Sequence, residues 1–259
     1  KGVCKRACEG ADVVFHLAAY ISVPGSVADP DLTHSVNVEG FFNLLQAARE
    51  CGAGRFVYAS SSAVYGDDPI LPKVEDRRGR LLSPYAVTKL IDELYAESWG
   101  TVYGMDCVGL RYFNVFGPRQ DPNGPYAAVI PRWAHALRHG EPVTIFGDGQ
   151  TSRDFCYVKD VVRANLLAAT TKRREAVGGV CNIACGVKTT LNELFAALKR
   201  QFPSENALPP VHEDFRRGDI AHSLASIERA RALLGYSPLY SLEEGLREML
   251  GESSNTPST

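Results

Sequence analysis

Two textures of apolar and polar positions alternate along the first half of the chain. Short apolar runs ending in small residues read as buried strands: 11–17 (Ala-Asp-Val-Val-Phe-His-Leu), 55–59 (Arg-Phe-Val-Tyr-Ala) and 106–112 (Asp-Cys-Val-Gly-Leu-Arg-Tyr). Between them lie helical patterns. One spans 32–51 and is closed by Gly52 and Gly54; the other spans 83–100 and opens with Ser83 as N-cap and Pro84 at the first helical position. The polar, proline-containing stretch 67–82 reads as a loop. Strands alternating with helices of more than about ten residues predict parallel crossover units, hence an α/β sheet covered on both faces.

Past Asn114 the pattern loosens. Gly117-Pro118, Asp121-Pro122-Asn123-Gly124 and Gly147-Asp148-Gly149 punctuate it, and shorter elements follow. This region is expected to form a smaller α/β substrate lobe at the C-terminal edge of the sheet, where open α/β folds place ligands. The expected organisation is 1–114 as the sheet domain with 153–183 returning to it, 115–152 and 184–250 as the lobe, and 251–259 as a disordered polar tail.

Composition narrows the classes. At 259 residues and 45% hydrophobic, the chain can bury a core. A net charge of −2 gives no reason to expect nucleic acid or an anionic membrane as partner. No apolar run approaches the ~20 residues needed to span a bilayer. Seven cysteines are scattered without a C-x-x-C pair, so no metal site is expected, and reduced thiols in a cytoplasmic protein are.

The candidate chemistry begins at Tyr85-Ala86-Val87-Thr88-Lys89. Residues i and i+4 share a helix face, which sets an ammonium beside a phenol. Lowering a phenol from about 10 to about 7 takes roughly 4 kcal/mol of differential stabilisation, and it makes a usable general base. The spacing alone also suits a surface tyrosine beside a solvated lysine. Ser60-Ser61-Ser62 adds weight, because it ends a predicted strand and offers a hydroxyl at the sheet edge.

Six ordered motifs carry a resemblance: His16-Leu17-Ala18-Ala19, Asn37-Val38-Glu39-Gly40, Ser60-Ser61-Ser62-Ala63-Val64-Tyr65-Gly66, Ser83-Pro84-Tyr85-Ala86-Val87-Thr88-Lys89, Arg111-Tyr112-Phe113-Asn114-Val115-Phe116-Gly117 and Arg153-Asp154-Phe155. Together they resemble the extended short-chain dehydrogenase/reductase family, in its NAD-dependent sugar-nucleotide epimerase/dehydratase branch, over 11–250. Within it the chain is most similar to the bacterial UDP-N-acetylglucosamine 4-epimerases of polysaccharide pathways. The resemblance implies a Rossmann-type parallel sheet, with Tyr85 as base, Lys89 as its tuner and a ribose-hydroxyl donor, and Ser61 as proton shuttle or orienting hydroxyl. It implies Ala18, Ala19, Asn37, Tyr85, Lys89 and Tyr112 at the NAD, and Ser22, Ser61, Ser62, Asn114, Arg153, Arg216, Asp219 and Ser223 at a UDP-sugar. Asp219 also suits simple pairing with a neighbouring arginine. A small residue at Ser223 implies room for a 2-acetamido group, and the absence of a carboxylate just after Ser61 implies epimerisation rather than dehydration or decarboxylation.

Alternatives stay open. They are a uronate epimerase, with Arg216 or Arg217 meeting a C6 carboxylate; a decarboxylase or dehydratase; and an inactive NAD-binding module. The helices at 32–51 and 83–100, with Leu90, Leu94 and Tyr95, suit a homodimer interface or an internal core. One departure stands out: the sequence starts at Lys1, and the family's opening strand and glycine-rich turn have no counterpart in it. About two strand–helix units of the family pattern are expected to be missing, and the chain as given is expected to hold NAD poorly.

Overall fold

The computed structural model describes residues 1–124, 127–202, 208–215 and 220–253. Its elements run α1 (Gly2–Cys8), β1 (Val13–His16), α2 (Val23–Ala28), α3 (Pro30–His34), a π-helical turn (Ser35–Glu39), α4 (Gly40–Glu50), β2 (Arg55–Ser61) and a 3₁₀ turn (Ser62–Tyr65). Next come α5 (Pro84–Tyr103), β3 (Cys107–Tyr112), β4 (Asn114–Phe116), α6 (Val129–Arg138), β5 (Thr144–Phe146), β6 (Ser152–Arg153), β7 (Phe155–Tyr157) and α7 (Val158–Thr170). The chain ends with a 3₁₀ turn (Arg174–Ala176), β8 (Val180–Ile183), β9 (Thr189–Thr190), α8 (Leu191–Lys199), β10 (Val211–Glu213), α9 (Glu228–Leu234) and α10 (Leu242–Ser253). Two compact units emerge: Lys1–Phe113, Val162–Ile183 and Ser226–Ser237 form the first; Asn114–Val161, Ala184–Ala225 and Pro238–Thr259 form the second.

The first unit is built on a parallel sheet of order β1-β2-β3-β8. Parallel strands need long crossovers, which is why helices α2 to α4 separate β1 from β2 and α5 separates β2 from β3. β2 and β3 are apolar on both faces, as a sheet covered on both sides demands. Phe41, Leu45, Phe56, Tyr58 and Cys107 pack beneath α4 and α5, with Phe41 edge-on to both Phe56 and Tyr58 at 5.6 and 5.4 Å. Gly109, in the middle of β3, makes room for Tyr58. A Cβ there would lie 2.5 Å from its hydroxyl and 2.7 Å from Val180 Cγ1.

α5 forms for the local reasons expected. Ser83 Oγ accepts from Ala86 N at 3.1 Å, Pro84 opens the helix, and Gly104 closes it in the left-handed region with φ 67°. The pattern at 32–51, by contrast, is not one helix. It begins at Pro30 behind Asp29, whose carboxylate caps α3, and it widens into the π turn before α4. The widened turn carries Asn37, which is buried against the loop after β1 and against α5.

Among its described residues the second unit holds three short pairs: β4 with β7, β5 with β10, and β6 antiparallel to β9. Its core gathers Phe116, Trp133, Leu137, Ile145, Tyr157, Leu194 and Leu246. α8 starts with a full capping box, Thr190 and Glu193 satisfying each other's backbone N–H groups. Asp154 ties this unit together from inside. Its carboxylate accepts from the backbone N–H of Cys185, Gly186 and Ala225 at 2.9, 3.0 and 3.1 Å. Burial pushes its carboxyl up to about 6 despite those bonds.

Candidate active site

In a parallel sheet every strand ends at the same edge, so the residues following β1, β2 and β3 are brought side by side. At the end of β1, Ala18 is exposed and Ala19 half-buried. At the end of β2 stands Ser61, and at the end of β3 Tyr112, whose hydroxyl donates to Asn165 Oδ1 at 3.0 Å while burial holds its proton on.

Ser61, Tyr85 and Lys89 are brought together. Ser61 Oγ accepts from Ala63 N at 3.2 Å, and the Ser61 hydroxyl is hydrogen-bonded to the Tyr85 phenol. Tyr85 is buried, its backbone N–H fixed by Ser26 Oγ at 3.1 Å. Lys89 is 2% exposed; its ammonium donates to the Ala59 carbonyl at 3.1 Å and to Asp92 Oδ2 at 3.0 Å.

The expected tuning of the phenol takes a different form here. Burial raises Tyr85, the Ser61 bond lowers it, and the Asp92 carboxylate raises it further. The ammonium one turn along is engaged by a carboxylate, so its positive charge is offset at the phenol. Asp92 gave no signal in the sequence beyond its place three residues after Lys89. His16 opens the first of the six motifs without a role of its own: it is buried at the end of β1, with burial and Lys89 lowering it to about 4.

The remaining expected positions divide. Asn37 is 1% exposed and acts as a clamp: Oδ1 accepts from Tyr20 N at 2.7 Å, and Nδ2 donates to Tyr20 O at 3.1 Å and Thr88 Oγ1 at 3.0 Å. Ser22 caps α2, accepting from Gly25 N at 2.9 Å. Ser62 opens the 3₁₀ turn after β2. In the second unit, Asn114 and Arg153 line a cavity of about 410 Å³, with Phe146, Trp133, Arg132 and Phe215 around it. The sequence reading did not name those last four, because residues far apart in the chain form the wall. Ser223 donates its backbone N–H to Ser152 O at 3.0 Å, and Ala221, two residues earlier, lines the cavity. Arg216, Arg217 and Asp219 lie outside the described residues.

NAD fits these residues at its nicotinamide end. Small side chains at Ala18 and Ala19 leave space at the sheet edge, and Lys89 engages two partners with its three N–H donors, so that the third would meet a ribose hydroxyl if NAD were bound. No glycine-rich phosphate turn occurs among the 259 residues, so no residue here is assigned to the pyrophosphate.

A parallel α/β sheet with a serine, a buried tyrosine and a lysine near its C-terminal edge is an arrangement of the short-chain dehydrogenase kind. The model of the NAD dependent epimerase/dehydratase family matches residues 1–184, and the chain belongs to that family. It is 40% identical over 237 residues to a UDP-glucose 4-epimerase of Mycolicibacterium smegmatis, a span covering 91% of this chain and 74% of the relative. Among solved structures, a UDP-N-acetylglucosamine 4-epimerase from Methanobrevibacter ruminantium, in complex with UDP-N-acetylmuramic acid, aligns with TM-score 0.91 and 42% identity over 98% of this chain and 80% of its own. A UDP-glucuronic acid 4-epimerase from Bacillus cereus, in complex with UDP-glucuronic acid and NAD, aligns with TM-score 0.85 and 31% identity over 96% and 77%.

Proposed function

We propose that this chain is an NAD-dependent UDP-sugar 4-epimerase that accepts UDP-N-acetylglucosamine and UDP-N-acetylgalactosamine as well as UDP-glucose and UDP-galactose. The observation that carries the reading is Ser61 bonded to the buried Tyr85, with Lys89 one turn along and no carboxylate after Ser61. NAD, when bound, supplies the acceptor and donor of one hydride. Tyr85 removes the C4 hydroxyl proton, and Ser61 orients the sugar oxygen. Tyr85 then returns the proton to the C4 oxygen once the C–H bond has formed on the opposite face. One proton leaves and one comes back, so Tyr85 ends as it began and needs no acid partner. In the second unit, the cavity's aromatic rings suit a nucleobase, and Arg153 suits the diphosphate, which a planar cation engages bidentately.

Incubation with NAD and UDP-N-acetylglucosamine, followed by NMR of the sugar ring, tests this. The expected product is inverted at C4 alone, and a 4-keto-6-deoxy sugar would overturn the assignment. The 31% identical glucuronate relative favours running UDP-glucuronate in parallel, where loss of C6 would mark a decarboxylase instead. The presence of Ser61 at the Tyr85 phenol, with Lys89 one turn along the same helix, argues against a binding-only module.

Sugar choice is assigned to Ser223. Ser223→Tyr is expected to spare hexose turnover and to lower N-acetylhexosamine kcat/KM about tenfold or more, as measured by coupled assay on both sugar pairs. Equal loss on both would remove Ser223 from the specificity role. A homodimer through α4 and α5 in the cytoplasm completes the reading. Leu94 is 56% exposed on α5, and Tyr95 packs on Phe42 of α4 at 5.3 Å. No helix among the described residues is long and apolar enough to cross a membrane.

A further inference from the structure

Beside the base sits a charge that the reaction as described does not use. Asp92 follows Lys89 by three residues on α5 and is 0% exposed. Its Oδ2 accepts from the Lys89 ammonium at 3.0 Å, while its Oδ1 is buried with no hydrogen-bond partner among the described residues. A half-satisfied buried carboxylate is costly, because the lost water is not replaced. Lys89 otherwise reaches the neutral Ala59 carbonyl, so Asp92 is the anion that faces it most closely. Tyr85 lies on the same helix face, one turn before the lysine.

We propose that Asp92 is a positioning residue for the general base: its carboxylate fixes the Lys89 ammonium and, by being charged or neutral, sets how much of that positive charge the Tyr85 phenolate receives. This deepens the functional reading and rests on Tyr85 being the base. With Asp92 ionised, the phenol faces a neutralised pair. With Asp92 protonated, it faces an ammonium whose charge is unopposed.

The surroundings give the direction. From α5, Glu93 also faces Asp92, and from β2 the Tyr58 phenol does so. His16 faces Lys89 from β1, and Arg111 of β3 lies behind Glu93, bonded to it. Glu93 also receives the Ser60 hydroxyl, and burial keeps the proton on Tyr58. Asp92 is the member of this set that faces Lys89 with an oxygen left over. Burial pushes it up to about 7 against the pull of Lys89, with Glu93 adding to the rise. Below about pH 7 the acid is neutral and the phenol gives up its proton more readily than it would beside a charged Asp92; above it the carboxylate forms and the phenol keeps its proton to higher pH.

The test reads Tyr85 ionisation without turnover. Ultraviolet tyrosinate absorbance is titrated for the unmodified protein and for Asp92→Asn, each corrected with its Tyr85→Phe counterpart, which isolates one of the 11 tyrosines. Asn keeps an oxygen for Lys89 and removes the charge. Tyr85 ionisation is then expected to move down by about one pH unit, which is tenfold more phenolate at a fixed pH on the rising limb. In the epimerisation assay the acid limb of kcat should shift the same way, with KM unchanged. Asp92→Ser, smaller and also uncharged, should move the ionisation in the same direction. An unmoved or upward-moved Tyr85 in either folded variant overturns the proposal. Absence of sugar turnover by the unmodified protein would instead count against the epimerase reading, since the titration does not depend on it.

Discussion

Tyr85→Phe is expected to lower kcat for sugar interconversion by about 10²–10⁴-fold, the range a positioned general base contributes. The ring stays in its buried seat, and the variant loses one hydroxyl and its bond with Ser61. The net stability change is therefore about 0.5–1.5 kcal/mol. KM should change little, because the reacting proton contributes to the transition state far more than to ground-state binding. Steady-state kinetics on the UDP-sugar pair, together with a circular-dichroism melt, separate the two effects. If the variant turned over as fast as the parent, the phenol would have no part in the chemistry.

Glu93→Ala should be the most destabilising single change in the site's framework, at about 3–5 kcal/mol. Arg111 donates through Nε and Nη2 to the two carboxylate oxygens of Glu93, both at 2.8 Å, and the side chains are 5% and 9% exposed. Removing the carboxylate strands a buried guanidinium and releases the Ser60 hydroxyl as well. Because the pair joins α5 to β3, the helix carrying Tyr85 and Lys89 loses its main polar anchor to the sheet. Chemical denaturation measures the loss. The double variant Glu93→Leu/Arg111→Met should recover much of it, since two apolar side chains leave no stranded charge. A single-variant loss under about 1 kcal/mol would show that solvent reaches the arginine and that the anchor lies elsewhere.

The rest of the first unit's framework shows the same division between near and distant partners. The stretch 67–82, read as a loop from the sequence, is pinned to the sheet through Asn182. The Asn182 amide donates to Lys73 O and to Ser226 O, both at 3.0 Å, while its carbonyl accepts from Tyr65 at 2.6 Å. Nothing local to 67–82 announces that anchor, because Asn182 lies more than a hundred residues away.

By itself the sequence determined the strands at β1, β2 and β3, the start of α5, and the conjunction of Ser61, Tyr85 and Lys89. Each of these is a short-range property: apolar runs of strand length, a serine–proline cap, and a spacing that fixes two side chains on one helix face. Tertiary structure alone decided that the helix around Asn37 widens into a π turn and that the asparagine serves Tyr20 and Thr88. It also decided that Arg111 meets Glu93, and that the lysine beside the base is held by Asp92 with one oxygen left over. Burial made the difference, since a carboxylate that would be an ordinary solvated charge on an exposed helix becomes a neighbour with consequences once water is gone.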